Sequence, residues 1–189
     1  MSDTEPQAVQ VSQTSDGITT ITLSRPHRKN AIDGPTARKL TDAVLAFEND
    51  ATQKVCIIYG AHGTFCAGFD LHEVAKWNPA QGTDNYLGPI IDPSHKVEDR
   101  NIGPIGPSRM QVKKPVISAV AGYAVAGGLE LSLIGDMRIA EEDAVFGVFC
   151  RRFGVPLIDG GTVRQRSSYV NQINFGPEVD LIDIPRAQS

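Results

Sequence analysis

Apolar residues fall into short runs along this chain, and several of the runs have the composition of β-strands. Residues 8–12 and 18–24 predict two strands around a turn, and the second is rich in β-branched residues. Later apolar runs are nearly continuous, which is typical of strands buried in a parallel sheet. These later predicted strands cover residues 54–59, 115–124, 137–140 and 144–149.

Helical spacing appears between the predicted strands. One helix is predicted to begin after Asp33, a residue type favoured at N-caps, with Pro35 in its first turn. Its apolar face is formed by Ala37, Leu40, Val44 and Phe47. Shorter helices are predicted over residues 71–77 and 129–134. Because strands and helices alternate, we expect an α/β fold with right-handed crossovers.

The segment over residues 78–108 differs from the rest, since it holds five prolines. Such a composition predicts a surface excursion or a lid and not a core element. Tyr86, Leu87, Ile90 and Ile91 could face an acyl chain within it. A loop without a ligand explains the same composition equally well.

Composition and charge exclude several classes of protein. A chain of 189 residues suits one substantial core, and a net charge of −4 argues against a nucleic-acid binder. Three scattered cysteines show no metal-ligand spacing, and no apolar run approaches the roughly 20 residues of a membrane span. Residues 1–7 are expected to be disordered, and the N-terminus has neither a signal nor a transit pattern. We therefore expect a cytoplasmic protein.

Two glycine-rich turns carry the candidate chemistry. Residues 65–71 (FCAGFDL) and 122–130 (GYAVAGGLE) each lead from a predicted strand into a helix. Backbone N–H groups at a helix N-terminus favour negative charge. Two such turns on neighbouring strands could direct two donors at one oxygen, as an oxyanion hole requires. A glycine turn without a ligand remains the alternative for the first turn taken alone.

Glu130 is the most informative side chain, because it lies between two leucines in the first turn of an apolar helix. Burial of a carboxylate raises its pKa, which suits general acid/base catalysis near neutral pH. A glutamate that caps the helix from its third position is the equally weighted alternative.

Six segments together resemble the crotonase (enoyl-CoA hydratase/isomerase) family, in order and in spacing. They are residues 25–31, 65–71, 114–122, 122–131, 135–140 and 153–162, and the likeness extends from about residue 8 to Arg164. The resemblance implies a crotonase-like spiral of ββα units and assembly as a homo-trimer or hexamer. It also implies an acyl-CoA thioester substrate without a metal or redox cofactor, so that coenzyme A enters only as part of the substrate.

The resemblance also implies roles for particular residues. The two oxyanion donors correspond to the backbone N–H groups of Phe69 and Gly127. The loop that would contact the adenine and pantetheine end of coenzyme A comprises Ala67, Gly68, Phe69 and Asp70. Coenzyme A phosphates could be met by Arg25, Arg28 and Lys29, although a solvated basic loop explains these residues equally well.

The proton-transfer residues only partly match the family pattern. Glu130 corresponds to the first of the two glutamates that bracket water in hydratases, whereas Cys150 stands at the second position. Asp159 is the nearest substitute and would restore two carboxylates, with a turn-forming aspartate before two glycines as the alternative. If Glu130 acts alone, isomerisation by one base is easier to accept than hydration.

After Arg164 the likeness stops, and residues 165–189 show no helical stripe. We therefore expect a core over residues 8–164 followed by a divergent tail, without the family's usual C-terminal helices, as in a truncated reading of a longer gene. This predicts exposed apolar surface on the core. The sequence leaves two hypotheses open, namely an enoyl-CoA hydratase or isomerase and a non-catalytic subunit that binds CoA thioesters.

Overall fold

A computed structural model describes residues 5–75, 96–97, 100–161 and 172–174 of the chain. In chain order the described strands are β1 (Val9–Gln13), β2 (Ile18–Leu23), β3 (Val55–Gly60), β4 (Lys96–Val97), β5 (Arg100–Asn101), β6 (Val116–Val120), β7 (Tyr123–Val125), β8 (Met137–Ala140), β9 (Val145–Gly147) and β10 (Gln172–Asn174). The described α-helices are α1 (Gly34–Asn49), α2 (Leu71–Ala75) and α3 (Gly127–Ser132). Among the helices described, none is long and apolar enough to cross a membrane.

The main sheet has the order β1-β2-β3-β6-β8-β10. Only β1 is antiparallel to its neighbour, and the remaining pairs are parallel. Inward-facing residues alternate along β2 and β3, so Ile21, Leu23, Cys56 and Ile58 have no exposed surface. The structure thus confirms the predicted parallel arrangement of the later strands.

Helix α1 covers this sheet through the face that the sequence predicts. Asp33 is its N-cap, and the carboxylate accepts a hydrogen bond from the Thr36 N–H at 2.9 Å. All four predicted apolar residues of the helix are buried in the core. Burial of this face is therefore the main interaction that holds α1 on the sheet.

The predicted strand over residues 115–124 is wrong in one respect, because the structure divides it into β6 and β7. The chain turns at Gly122, whose φ is +56°. A Cβ at this position would lie 2.2 Å from the Gly63 carbonyl oxygen, so only glycine fits. After the turn, β7 leaves the main sheet and pairs in parallel with β9.

Several predicted boundaries also shift. The strand predicted over residues 144–149 is the shorter β9, and Cys150–Phe153 forms a 3-10 helix. The predicted surface excursion is corrected at its C-terminal end, because Ile105 and Ser108 are fully buried. Residues 76–95, with the four apolar residues considered for an acyl chain, lie outside the described residues.

Residues beyond both ends of the predicted core range 8–164 contact the main fold. Glu5, assigned to a disordered N-terminus, forms a 2.7 Å ion pair with Arg25. Residues 172–174, assigned to the divergent tail, form β10 and add to the main sheet beside β8. Described residues on both sides of the predicted range thus contact the fold, through an ion pair at one end and strand pairing at the other.

Candidate active site

The two glycine-rich turns lie side by side. The Cys66 N–H donates to the Tyr123 carbonyl at 2.9 Å, and the Val125 N–H donates to the Cys66 carbonyl at 3.1 Å. A Cβ on Gly128 would lie 2.0 Å from the Cys66 oxygen, so the close approach requires glycine there. The structure thus brings together the two segments that the sequence singled out.

Phe69 and Gly127 lie at the ends of these turns. A Cβ on Gly68, the residue before Phe69, would come within 2.9 Å of the Gly127 nitrogen. Gly68 has φ +94°, and its carbonyl accepts a 2.7 Å hydrogen bond from the Ile32 N–H. Gly127 is the first residue of α3, where N–H groups have no acceptor within the helix.

One cavity of about 130 Å³ opens at this junction. Its wall includes Ala67, Phe69, Gly127, Glu130 and Asp159, which are five of the predicted site residues. The remaining wall is largely apolar and includes Leu71, Val74, Phe149, Phe153, Val155 and Ile158. Few polar groups in an apolar cavity are typical of a small-molecule site.

Glu130 projects from α3 and is only 1% exposed. Its Oε1 accepts hydrogen bonds from the Gly161 N–H at 2.8 Å and the Asp159 N–H at 3.0 Å. Burial raises the pKa of Glu130 to about 7, against the hydrogen bond from Gly161, and the neighbouring Asp159 adds to the rise. The carboxyl group can therefore both accept and donate a proton near neutral pH.

Asp159 reaches the same cavity from the loop after the 3-10 helix and is 4% exposed. Its Oδ1 accepts hydrogen bonds from the Ser108 hydroxyl at 2.6 Å and the Ile105 N–H at 3.2 Å. Burial raises the pKa of Asp159, and the hydrogen bonds from Ser108 and Ile105 oppose the rise. Asp159 therefore lies buried in the cavity wall, with one carboxylate oxygen held by two donors.

Cys150 also lines the cavity and is 6% exposed. Burial raises the pKa of its thiol, and the nearby Glu130 carboxylate raises it further. The thiol therefore stays neutral at physiological pH and cannot act as a carboxylate would.

Arg25 has a structural environment that argues against the predicted contact with coenzyme A phosphates. The side chain is 3% exposed and lies between three carboxylates, with ion pairs to Glu5 at 2.7 Å, Asp33 at 2.8 Å and Asp70 at 3.3 Å. It also donates to the Ala31 carbonyl. Because all of these partners belong to the protein itself, the Arg25 guanidinium is not available to a coenzyme A phosphate.

Three other residues predicted to contact coenzyme A are not among those that line the cavity. The Asp70 carboxylate accepts from the His72 N–H at 3.0 Å and pairs with Arg25. Arg28 contacts the His72 ring at 3.0 Å, and its side chain is 35% exposed. Gly68 lies against Gly127. Of these, the Arg28 side chain has the most access to solvent.

Sequence reasoning missed the groups that hold the two carboxylates. Ile105, Ser108 and Gly161 donate to them directly, although the first two belong to the segment predicted as surface. Only the glycines at 103, 106, 160 and 161 could have indicated close packing there.

Comparison with known proteins decides the family. A family model described as enoyl-CoA hydratase/isomerase matches residues 13–168. The chain belongs to the enoyl-CoA hydratase/isomerase family. Enoyl-CoA hydratase EchA19 of Mycobacterium tuberculosis H37Rv is 32% identical over 169 residues, which cover 86% of this chain and 56% of the relative. Carnitinyl-CoA dehydratase of Proteus mirabilis is 33% identical over 152 residues, covering 80% of this chain and 52% of the relative.

Solved structures of the enoyl-CoA hydratase/isomerase family confirm the predicted crotonase-like α/β fold. The crystal structure of enoyl-CoA hydratase EchA1 from Mycobacterium marinum matches with a TM-score of 0.68 and 35% identity. The match covers 85% of this chain and 56% of that one. The chain therefore spans about half the length of the family members it matches.

Proposed function

We propose that this chain binds an acyl-CoA thioester and catalyses proton transfer at its α-carbon through an enolate, as a hydratase of 2-enoyl-CoA. The observation that carries the proposal is the placement of two buried carboxylates and two glycine turns around one cavity. Phe69, Gly127, Glu130 and Asp159 all line it. Family membership agrees with this chemistry.

In the proposed reaction the Phe69 and Gly127 N–H groups donate to the thioester oxygen. Negative charge develops on this oxygen as the enolate forms, and each such donor is worth about 3–4 kcal/mol of transition-state stabilisation in comparable sites. The support for this step is that the two turns lie so close that a Cβ added to Gly68 would come within 2.9 Å of the Gly127 nitrogen. The apolar wall strengthens these interactions by excluding water.

Hydration also needs a base for water and an acid for the α-carbon. One carboxylate takes a proton from water as the water oxygen bonds to the β-carbon, and a carboxylic acid gives a proton to the α-carbon. A pKa of about 7 makes Glu130 suitable for either task at neutral pH. Asp159 supplies the second carboxylate, which Cys150 cannot supply.

Isomerisation of a 3-enoyl-CoA to a 2-enoyl-CoA is the second candidate, and the neutral thiol of Cys150 favours it. Here Glu130 alone removes a proton from the α-carbon and returns it to the γ-carbon. Neither reaction, as proposed, uses a metal or redox cofactor. Assembly as a homo-trimer or hexamer and a cytoplasmic location also remain predictions.

The test compares the wild-type chain with Glu130→Gln on crotonyl-CoA and on a 3-enoyl-CoA, with products read by mass spectrometry. We expect Glu130→Gln to lower kcat by about 10²- to 10⁴-fold, because the amide cannot exchange a proton. Glu142→Gln, an exposed glutamate beyond α3, is the matched control. Full turnover by Glu130→Gln would reject the assignment, and thioester binding without turnover by the wild type would favour a non-catalytic subunit.

A further inference from the structure

A hydrogen bond outside the predicted motifs fixes one oxygen of Asp159. The Ser108 hydroxyl donates to Asp159 Oδ1 at 2.6 Å, across 51 residues of sequence. The Ile105 N–H donates to the same oxygen at 3.2 Å. Ser108 has no exposed surface, so water does not compete for its hydroxyl.

Gly103 packs against the hydrogen bond between Ser108 and Asp159. A Cβ at Gly103 would lie 2.1 Å from Ser108 Oγ and 2.3 Å from Asp159 Oδ1. Both atoms of the hydrogen bond therefore pack directly against a glycine backbone. The close packing leaves no room for another side chain and restricts Asp159 to few orientations.

The other carboxylate oxygen of Asp159 points toward the second glycine turn. A Cβ on Gly127 would lie 3.5 Å from Asp159 Oδ2. The backbone N–H of Asp159 is meanwhile occupied by Glu130 Oε1 at 3.0 Å. Glu130 thus holds the backbone of Asp159, and Ser108 holds its Oδ1. The remaining oxygen, Oδ2, lies on the side of Gly127.

We propose that Ser108 is a positioning residue, which fixes Asp159 Oδ1 so that Oδ2 is the oxygen presented to the reacting thioester. The inference rests on the proposed function, since it assigns Asp159 as the second carboxylate. Without the hydroxyl, Oδ1 keeps only the 3.2 Å hydrogen bond from the Ile105 N–H, so the carboxylate rotates more readily. Loss of a charge-assisted hydrogen bond of this kind corresponds to about a 10- to 100-fold effect.

The kinetic test uses Ser108→Ala, with Ser118→Ala as a control that removes another fully buried hydroxyl, in β6. We expect Ser108→Ala to lower kcat by about 10- to 100-fold with KM changed less than about twofold. In an Asp159→Asn background the same substitution is expected to have little further effect. Additive losses in the double variant, or an unchanged kcat in Ser108→Ala, would overturn the inference.

A second measurement does not depend on turnover. Because the Ser108 hydroxyl favours the ionised carboxylate, its removal should raise the midpoint at which labelled Asp159 titrates in ¹³C NMR. Ser118→Ala should leave that midpoint unchanged, and an unchanged midpoint in Ser108→Ala would also overturn the inference. If the wild type fails to turn over any enoyl-CoA while the midpoint shifts, the proposed function and the catalytic positioning both fail, and only the hydrogen bond from Ser108 to Asp159 stands.

Discussion

Glu130 links the chemistry of the site to the stability of the fold. Its pKa rises from 4.5 to about 7 on folding, mainly because burial disfavours the charged form. Between these values the folded chain keeps a proton that the unfolded chain loses, so stability falls as pH rises from about 4.5 to 7. At about 1.4 kcal/mol per pH unit, this loss has an upper limit of about 3–4 kcal/mol.

Urea denaturation across pH 4.5–8 tests this linkage. We expect Glu130→Gln to lack the fall, because the amide keeps an acceptor for Gly161 without carrying a charge. The variant should therefore gain stability relative to the wild type as pH rises, while Glu142→Gln follows the wild type. Parallel pH profiles for wild type and Glu130→Gln would contradict the prediction.

At the residue scale, sequence reasoning pointed to the two carboxylates that line the cavity and missed the groups that hold them. Glu130 and Asp159 stand in recognisable motifs, and both lie in the cavity wall. Ser108 lies in a proline-rich segment that predicts a surface loop. Its contact with Asp159 spans 51 residues, so it exists only after the chain has folded and no local pattern reports it.

At the scale of elements, the contact between the two turns depends on Gly128. Alanine normally stabilises a helix relative to glycine by up to about 1 kcal/mol. In α3 the new Cβ would instead lie 2.0 Å from the Cys66 oxygen. Relief of this overlap must push the turns apart and displace the Gly127 donor.

We therefore expect Gly128→Ala to destabilise the chain by about 1–3 kcal/mol and to lower kcat by about 10- to 100-fold. Urea denaturation and an enoyl-CoA assay measure the two effects. Gly63→Ala is a control for activity only, because nothing lies within 4 Å of its Cβ but its φ of +69° strains any side chain there. Equal activities of the two variants would show that the close approach of the turns does not matter.

Helices and strands were predicted well where the local spacing of apolar residues determines the secondary structure. The apolar face of α1 follows helical spacing, and the structure buries it on the main sheet. The division between β6 and β7 was missed because residues 115–124 form one apolar run. The turn at Gly122 depends on the Gly63 backbone, which is distant in sequence and close only in the fold.

At the scale of the whole molecule, several large apolar residues of the described chain are exposed. Met137 and Ile139 lie on one face of β8 and are 39% and 40% exposed. Phe153, which lines the cavity, is 64% exposed. The exposed Phe153 side chain therefore adds to the apolar lining of the cavity.

Arg25 joins the N-terminal segment, α1 and the turn before α2 into one unit, through Glu5, Asp33 and Asp70. Arg25→Met would leave these carboxylates without their shared cation, so we expect a loss of about 3–5 kcal/mol at pH 7 in urea denaturation. The hydrogen bond from Arg25 lowers the pKa of Glu5, and, against its burial, the pKa of Asp70 is lowered by hydrogen bonds from His72, with a smaller effect of Arg25. The contribution of Arg25 is therefore present above about pH 4.5 and is lost as pH falls further. The difference in free energy of unfolding between Arg25→Met and the wild type should accordingly narrow near pH 3.

Arg38→Met, at an exposed position of α1, is the control. Equal stability of Arg25→Met and Arg38→Met at pH 7 would show that Arg25 does not hold these elements together.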